Sequence, residues 1–163
     1  RMSSRHTRTC VSRTVCNPSS LLQPSPTIPD QKLRLDLVDS GTINLPDGTS
    51  VLRVVTASDW MTTGPTRTIT IDARSSAISN DGKENMDFAY LGKMEITPEV
   101  EEVISGKSGK EMEFGDCYYY TTPRIYSRCE RWAWVNDTVF VAAGKLRLEE
   151  GRPVVSYRIY KVG

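Results

Sequence analysis

Short runs with a period of two, cut at near-regular intervals by turn-forming residues, constrain this chain more than anything else in its sequence. Leu33, Leu35 and Leu37 alternate with Arg34 and Asp36, the pattern of a half-buried strand. Residues 41–45 and 50–56 flank Pro46-Asp47-Gly48, a hairpin turn signal, and are expected to pair antiparallel. Residues 66–78 are rich in Thr and Ile and end at Asn80-Asp81-Gly82, which makes residues 86–96 their expected partner. Residues 117–126, 131–148 and 154–162 supply the remaining strands, the last two separated by Glu149-Glu150-Gly151. One helix start stands out: Thr97 as N-cap, Pro98 at the first helical position and Glu99 at the positive end, with Val100, Val103 and Ile104 as a stripe before Gly106. About eight strands and one short helix favour an all-β, antiparallel barrel or sandwich over an α/β fold.

The length of 163 residues fits one domain with a core of its own. Residues 1–31 are polar, carry Pro18, Pro24, Pro26 and Pro29, and are expected to form an extended arm in which residues 9–15 alone have a strand pattern. Residues 32–163 are expected to be the β domain. No apolar run approaches the roughly 20 residues needed to span a bilayer, so no membrane span is expected. The net charge of +1 hides an asymmetry, because Arg1, Arg5, Arg8 and Arg13 all precede the first acid, Asp30. Taking those four from the 21 basic residues leaves 17 against 20 acids, a poor match for a nucleic-acid backbone. The arm has the composition of an organelle-targeting segment, but no apolar signal core precedes Cys10, Cys16, Cys117 and Cys129. Reduced thiols and a cytoplasmic location are therefore expected, with organelle targeting by the arm as the alternative.

The single histidine, His6, lies in the arm. That removes Ser-His-Asp and Cys-His catalysis from the domain, along with any His-based metal site. Gly106-Lys107-Ser108 resembles the end of a phosphate loop, but the motif needs glycine at 101, which is Glu101. No dinucleotide fingerprint follows a strand. No cofactor and no metal are expected, and any catalysis falls to carboxylates, tyrosines, arginines, lysines or thiols. Asn136-Asp137-Thr138 fits a glycosylation sequon within an expected apolar strand, where it reads as coincidence.

Two stretches carry polar groups in register. Thr68, Thr70, Asp72, Arg74 and Ser76 share one face of their strand while Ile69, Ile71 and Ala73 share the other. Taken alone, that polar face is equally what a solvated outer wall presents. Trp132, Trp134, Asn136, Thr138 and Phe140 fall together if residues 131–141 are extended, and Tyr118, Tyr120, Thr122, Arg124 and Tyr126 share parity, with Pro123 disturbing strict alternation. Aromatic walls with a few fixed polar groups are how small-molecule pockets orient a ligand, although for any one of these rings core packing is the plainer role. If the faces converge inward on a water-poor hollow, Asp72 is the candidate acid or base. Arg124, Tyr120 and Asn136 are then the candidate holders of a developing oxyanion, and Arg74, Tyr90, Tyr118, Trp132 and Trp134 the candidate ligand contacts.

Tyr118-Tyr119-Tyr120-Thr121-Thr122-Pro123-Arg124, followed by Arg131-Trp132-Ala133-Trp134-Val135-Asn136 and Val139-Phe140-Val141, closely resembles the carboxy-terminal signature of the domain of unknown function 3237 family. The likeness extends to Ser58-Asp59-Trp60, Ile71-Asp72-Ala73-Arg74, Asp81-Gly82 and the closing Tyr157-Arg158-Ile159-Tyr160, covering roughly residues 38–162. The resemblance implies a lipocalin-like closed β-barrel of about eight strands with a polar-aromatic cavity. It carries the family's usual Trp, Asp, Arg and Asn onto Trp60, Asp72, Arg124, Trp134 and Asn136.

Three functions fit these expectations. The first is a cofactor-independent isomerase, cyclase or lyase acting on a polyketide- or terpenoid-like intermediate inside the barrel, by analogy with other barrels of this design. The second is a non-catalytic carrier of a small apolar organic molecule. The third is a structural module or homo-oligomer, for which Ile69, Ile71 and Ala73 facing outward would be the mark.

Overall fold

A computed structural model describes residues 8–17, 23–24, 32–107 and 111–163, with side chains from residue 40 onward. The strands are β1 (Arg8–Asn17), β2 (Gln23–Pro24), β3 (Lys32–Asn44), β4 (Ser50–Thr63), β5 (Thr68–Ile78), β6 (Asn85–Glu95), β7 (Tyr119–Tyr126), β8 (Phe140–Glu149) and β9 (Arg152–Lys161). All pairings are antiparallel. The sheet runs β1-β9-β8-β7-β6-β5-β4-β3-β2, and β1 also pairs with β3, so the sheet curls on itself into a barrel-like wall.

The expected hairpins form where the turn residues stand. Gly48 adopts φ +89°, Gly82 φ +72°, and Glu150 and Gly151 both take positive φ. Glu149 pairs with Arg152 across the two-residue Glu150-Gly151 loop. Two successive left-handed residues match the twist of the flanking strands, and Gly151 adopts its share without the steric cost that Glu150 bears. Between β6 and β7, helix α1 (Pro98–Ile104) starts as the sequence indicates: Thr97 Oγ1 accepts from the Val100 N–H, and Val100 and Val103 are buried.

Two features depart from the sequence expectations. Residues 131–139 are not strand, because Glu130–Asp137 form a 3₁₀ helix. Trp132 and Val135, three apart, bury one face of it, whereas Trp134 and Asn136 are exposed. Three residues per turn thus won over the alternation that Trp132, Trp134 and Asn136 suggested. The wall is also not evenly closed. β7 and β8 share only the register pairs Tyr120 with Ala143 and Thr121 with Ala142, because the 3₁₀ segment takes the chain away before β8 begins. The barrel is open along this seam.

Interior packing follows from the other face of the same strands. Ile69, Ile71 and Ala77 of β5 meet Met86, Phe88, Tyr90 and Met94 of β6, then Ile125, Phe140, Leu146 and Ile159. Phe88, Tyr90 and Tyr157 stack in succession with centroids 5.9 and 5.3 Å apart. Tyr119 and Tyr157 share a 2.6 Å hydrogen bond between hydroxyls. Gly144 makes room for this pair, since a Cβ there would lie 2.6 Å from the Tyr119 ring. Burial pushes the Tyr157 hydroxyl well above the usual phenol range, and Tyr119 and Asp59 push it the same way. A void beneath the 3₁₀ helix, bounded by apolar side chains such as Met86, Phe88, Trp132 and Phe140, measures about 20 Å³. That is room for about one water, far below an organic ligand.

Candidate functional site

Position along β4 is reset by one extra residue. The β4–β5 register shifts between Val54 and Thr56, leaving Val55 as a bulge that exchanges the two faces of the strand. Leu52 therefore points into the core while Trp60, an even number of residues later, points out.

From the bulge onward, cross-strand registers define four rows on the outer face of β4 to β7. They are Thr62–Thr70–Lys93–Tyr120, Trp60–Asp72–Leu91–Thr122, Ser58–Arg74–Ala89–Arg124 and Thr56–Ser76–Asp87–Tyr126. Trp60, Asp72, Arg74, Tyr120 and Arg124, all singled out from sequence, are thus brought onto one continuous face. Tyr118 packs edge-to-face on Tyr120 at 5.1 Å and belongs with them.

The face is the outer one, and this corrects the expected inward convergence on a hollow. The Asp72 and Arg74 side chains are 48% and 67% exposed, while Ile69, Ile71 and Ala73 are the residues turned to the core. The physical reason is elementary: of two alternating faces, the aliphatic one gains more by leaving water. It also removes the mark set for an oligomeric module, because those three residues do not face outward.

The outer face has chemistry of its own. Arg74 Nε lies 3.4 Å from Asp72 Oδ1. Arg74 and Arg124 sit on either side of Ala89 in one row, with backbones about 10 Å apart, two strand spacings. Between them in the row, Ala89 presents only a methyl group. Next to that row, Thr56, Ser58, Arg74, Ser76, Asp87 and Tyr126 line an open groove of about 300 Å³, the lower end of ligand-pocket sizes. Ser76 donates to Asp87 Oδ1 at 2.6 Å, and Lys93 Nζ donates to Thr70 Oγ1 at 2.6 Å. Five large side chains remain half in water here: Trp60 48%, Leu91 53%, Tyr118 56%, Tyr120 46% and Tyr126 51%.

Four other candidates lie elsewhere. Tyr90 is a core residue between Phe88 and Tyr157. Trp132 is buried and donates from Nε1 to Glu84 Oε2 at 2.7 Å, with the Arg131 guanidinium 4.6 Å above its ring. Asn136 spends its amide on the loop backbone: Oδ1 accepts from the Ser127 N–H and Nδ2 donates to the Ser127 carbonyl, both at 2.9 Å. Trp134 is exposed on the 3₁₀ helix with its ring 6.0 Å from Phe140. These residues fasten the 3₁₀ segment and fill the core. The sequence reading missed Asp87, Lys93 and Ala89, although their alternation with Met86, Phe88, Tyr90 and Met94 was there to find.

Among the described residues, no three His, Cys, Asp or Glu side chains converge to hold a metal, and no helix is long and apolar enough to cross a membrane. Cys117 and Cys129 are free thiols, and burial raises the Cys117 pKa.

Fold and face together define an antiparallel, barrel-like protein with a polar-aromatic outer sheet. The chain belongs to the family described as protein of unknown function (DUF3237), whose pattern matches residues 19–162. No curated protein matches it. Solved structures share the fold at low identity. A protein of unknown function from Clostridium acetobutylicum aligns at a TM-score of 0.74 with 18% identity, over 98% of this chain and 99% of the other. A β-barrel-like protein from Acinetobacter baumannii aligns at 0.63 with 19% identity, over 95% and 94%. An enzyme from Penicillium herquei aligns at 0.56 with 16% identity, over 97% and 99%.

Proposed function

We propose that the chain is a cofactor-independent enzyme of the isomerase or cyclase type, acting on a small oxygen-bearing organic molecule held on the outer face of β4 to β7. The observation that carries this reading is the row Arg74–Ala89–Arg124 beside Asp72, next to a groove of about 300 Å³. Two permanently charged guanidinium groups either side of a bare methyl favour an oxygen that gains negative charge. In the proposed step the Asp72 carboxylate takes a proton from the carbon beside a carbonyl, and the electron pair moves onto the carbonyl oxygen between the arginines. Where the substrate carries a C=C bond conjugated with that enolate, return of the proton from Asp72 to the far carbon of the dienolate completes an isomerisation with no co-reactant. Trp60 and Tyr126 supply flat surfaces for a polyketide- or terpenoid-like skeleton. That a protein of similar fold is an enzyme supports a catalytic reading over a carrier one.

The test uses a panel of aromatic 1,3-diketones and phenolic ketones, with binding followed by tryptophan fluorescence and proton abstraction by deuterium uptake from heavy water. Asp72→Asn is expected to keep binding and lose exchange by about 100-fold or more. Arg124→Ala is expected to weaken binding by about 10-fold or more. Binding by the parent chain with no exchange on any probe would make it a carrier, and no binding at all would remove both readings.

A further inference from the structure

The outer face of β4 to β7 carries its charged and bulky residues in pairs about one cross-strand level. Asp59, Ala73, Tyr90 and Pro123 form one cross-strand row. About that level the outer residues fall into complementary pairs. Asp72 and Arg74 lie one residue either side of Ala73. Asp87 and Lys93 lie three either side of Tyr90, and Tyr120 and Tyr126 three either side of Pro123. Leu91 mirrors Ala89 and Trp60 mirrors Ser58 in the same way.

We infer that this face is where a second copy of the chain docks, about a two-fold axis running along that row. Such an axis lays Asp72 against the partner's Arg74, Lys93 against the partner's Asp87, Tyr120 on the partner's Tyr126 and Leu91 on the partner's Ala89. In an isologous interface residue i meets j and j meets i, and inversion of charge or bulk about one line, which β5, β6 and β7 carry at a common level, makes such a patch complementary to itself. The half-exposed Trp60, Leu91, Tyr120 and Tyr126 then leave water together, which accounts for an aromatic patch that a single chain exposes at a cost.

Docking changes the site as well. The groove lined by Ser58, Asp87 and Tyr126 gains a roof from the partner's Trp60, Lys93 and Tyr120 and becomes an enclosed chamber. Arg124 alone among the charged residues of the rows faces no charge across the axis, since its mirror position is Thr122. On the catalytic reading above, its guanidinium stays free for the substrate oxygen, while Arg74 divides its donors between that oxygen and the partner's Asp72.

Sedimentation velocity on the full chain tests the interface. A dimer is expected, and Asp87→Lys and Lys93→Asp are each expected to raise its dissociation constant by at least about 100-fold, because like charges then meet twice. Combining the two substitutions restores opposite charges across the axis, so the double variant is expected to return to a dimer. Leu91→Glu gives a monomer whose circular dichroism matches the parent. A monomeric parent, a dimer indifferent to Leu91→Glu, or a double variant that stays monomeric would each overturn the proposal. The deuterium-exchange assay separates the two readings: a dimer without exchange keeps the interface and loses the enzyme, and exchange by a monomeric parent does the reverse.

Discussion

Three consecutive tyrosines lie on two sides of one sheet. Tyr119 is 2% exposed inside the barrel, its hydroxyl bonded to Tyr157 and its ring against Gly144, whereas Tyr118 and Tyr120 are 56% and 46% exposed outside. Identical side chains thus do different work according to parity alone. The inner surface of β5 to β9 is packed with apolar side chains and rings, and its tyrosines Tyr119 and Tyr157 bond to each other. The outer surface of β4 to β7 keeps charge, hydroxyls and rings available to something else. On the proposed function, ligand contact and core packing are divided between the two surfaces of the same strands, which makes the division testable by paired substitutions.

The largest expected effect is on the inner side. Phe140→Ala empties a site that is 2% exposed and is expected to cost about 3–5 kcal/mol in urea unfolding; a cost under about 1 kcal/mol would mean the interior is looser than its packing indicates. A smaller effect is expected at alkaline pH. Below pH 10.0, the ordinary tyrosine pKa, the Tyr157 phenol is neutral whether folded or not. Above it the unfolded chain releases that proton and the folded chain holds it, so stability falls as pH rises from there. Unfolding midpoints measured from pH 8 upward are expected to show this loss, at roughly the onset set by the reference phenol, and Tyr157→Phe is expected to flatten it. The smallest effect belongs to the outer side. Trp60→Ala is expected to change the unfolding free energy of the isolated chain by no more than about 0.5 kcal/mol while reducing tryptophan-detected binding. A large loss of stability there would dissolve the division between the two surfaces.

Much of the fold was legible because turn chemistry and period-two patterns are local. Pro46-Asp47-Gly48, Asn80-Asp81-Gly82 and Glu149-Glu150-Gly151 each mark a hairpin that forms, and Thr97-Pro98 opens the helix that forms. The grouping of Asp72 with Arg74, and of Tyr120 with Arg124, was legible for the same reason. Which side of the wall they occupy was not, since alternation gives two faces and only the packing of Ile69 and Ile71 against Phe88 and Met94 decides between them. Trp60 was harder still, because the bulge at Val55 swaps faces without any glycine or proline to announce it. The 3₁₀ helix was misread because Trp132, Trp134 and Asn136 satisfy a period of two, while the pair that the fold buries, Trp132 and Val135, satisfies a period of three.

The seam between β7 and β8 gives the wall a fault line. Ten register pairs zip β8 to β9 and eight zip β6 to β7, but only two pairs join β7 to β8, the wall being held the other way round by β1 between β9 and β3. Backbone amides bordering the seam therefore lack the ladder partners that their neighbours have and are expected to exchange with solvent sooner than those inside the β8–β9 ladder, while β9 stays zipped to β1 over seven register pairs.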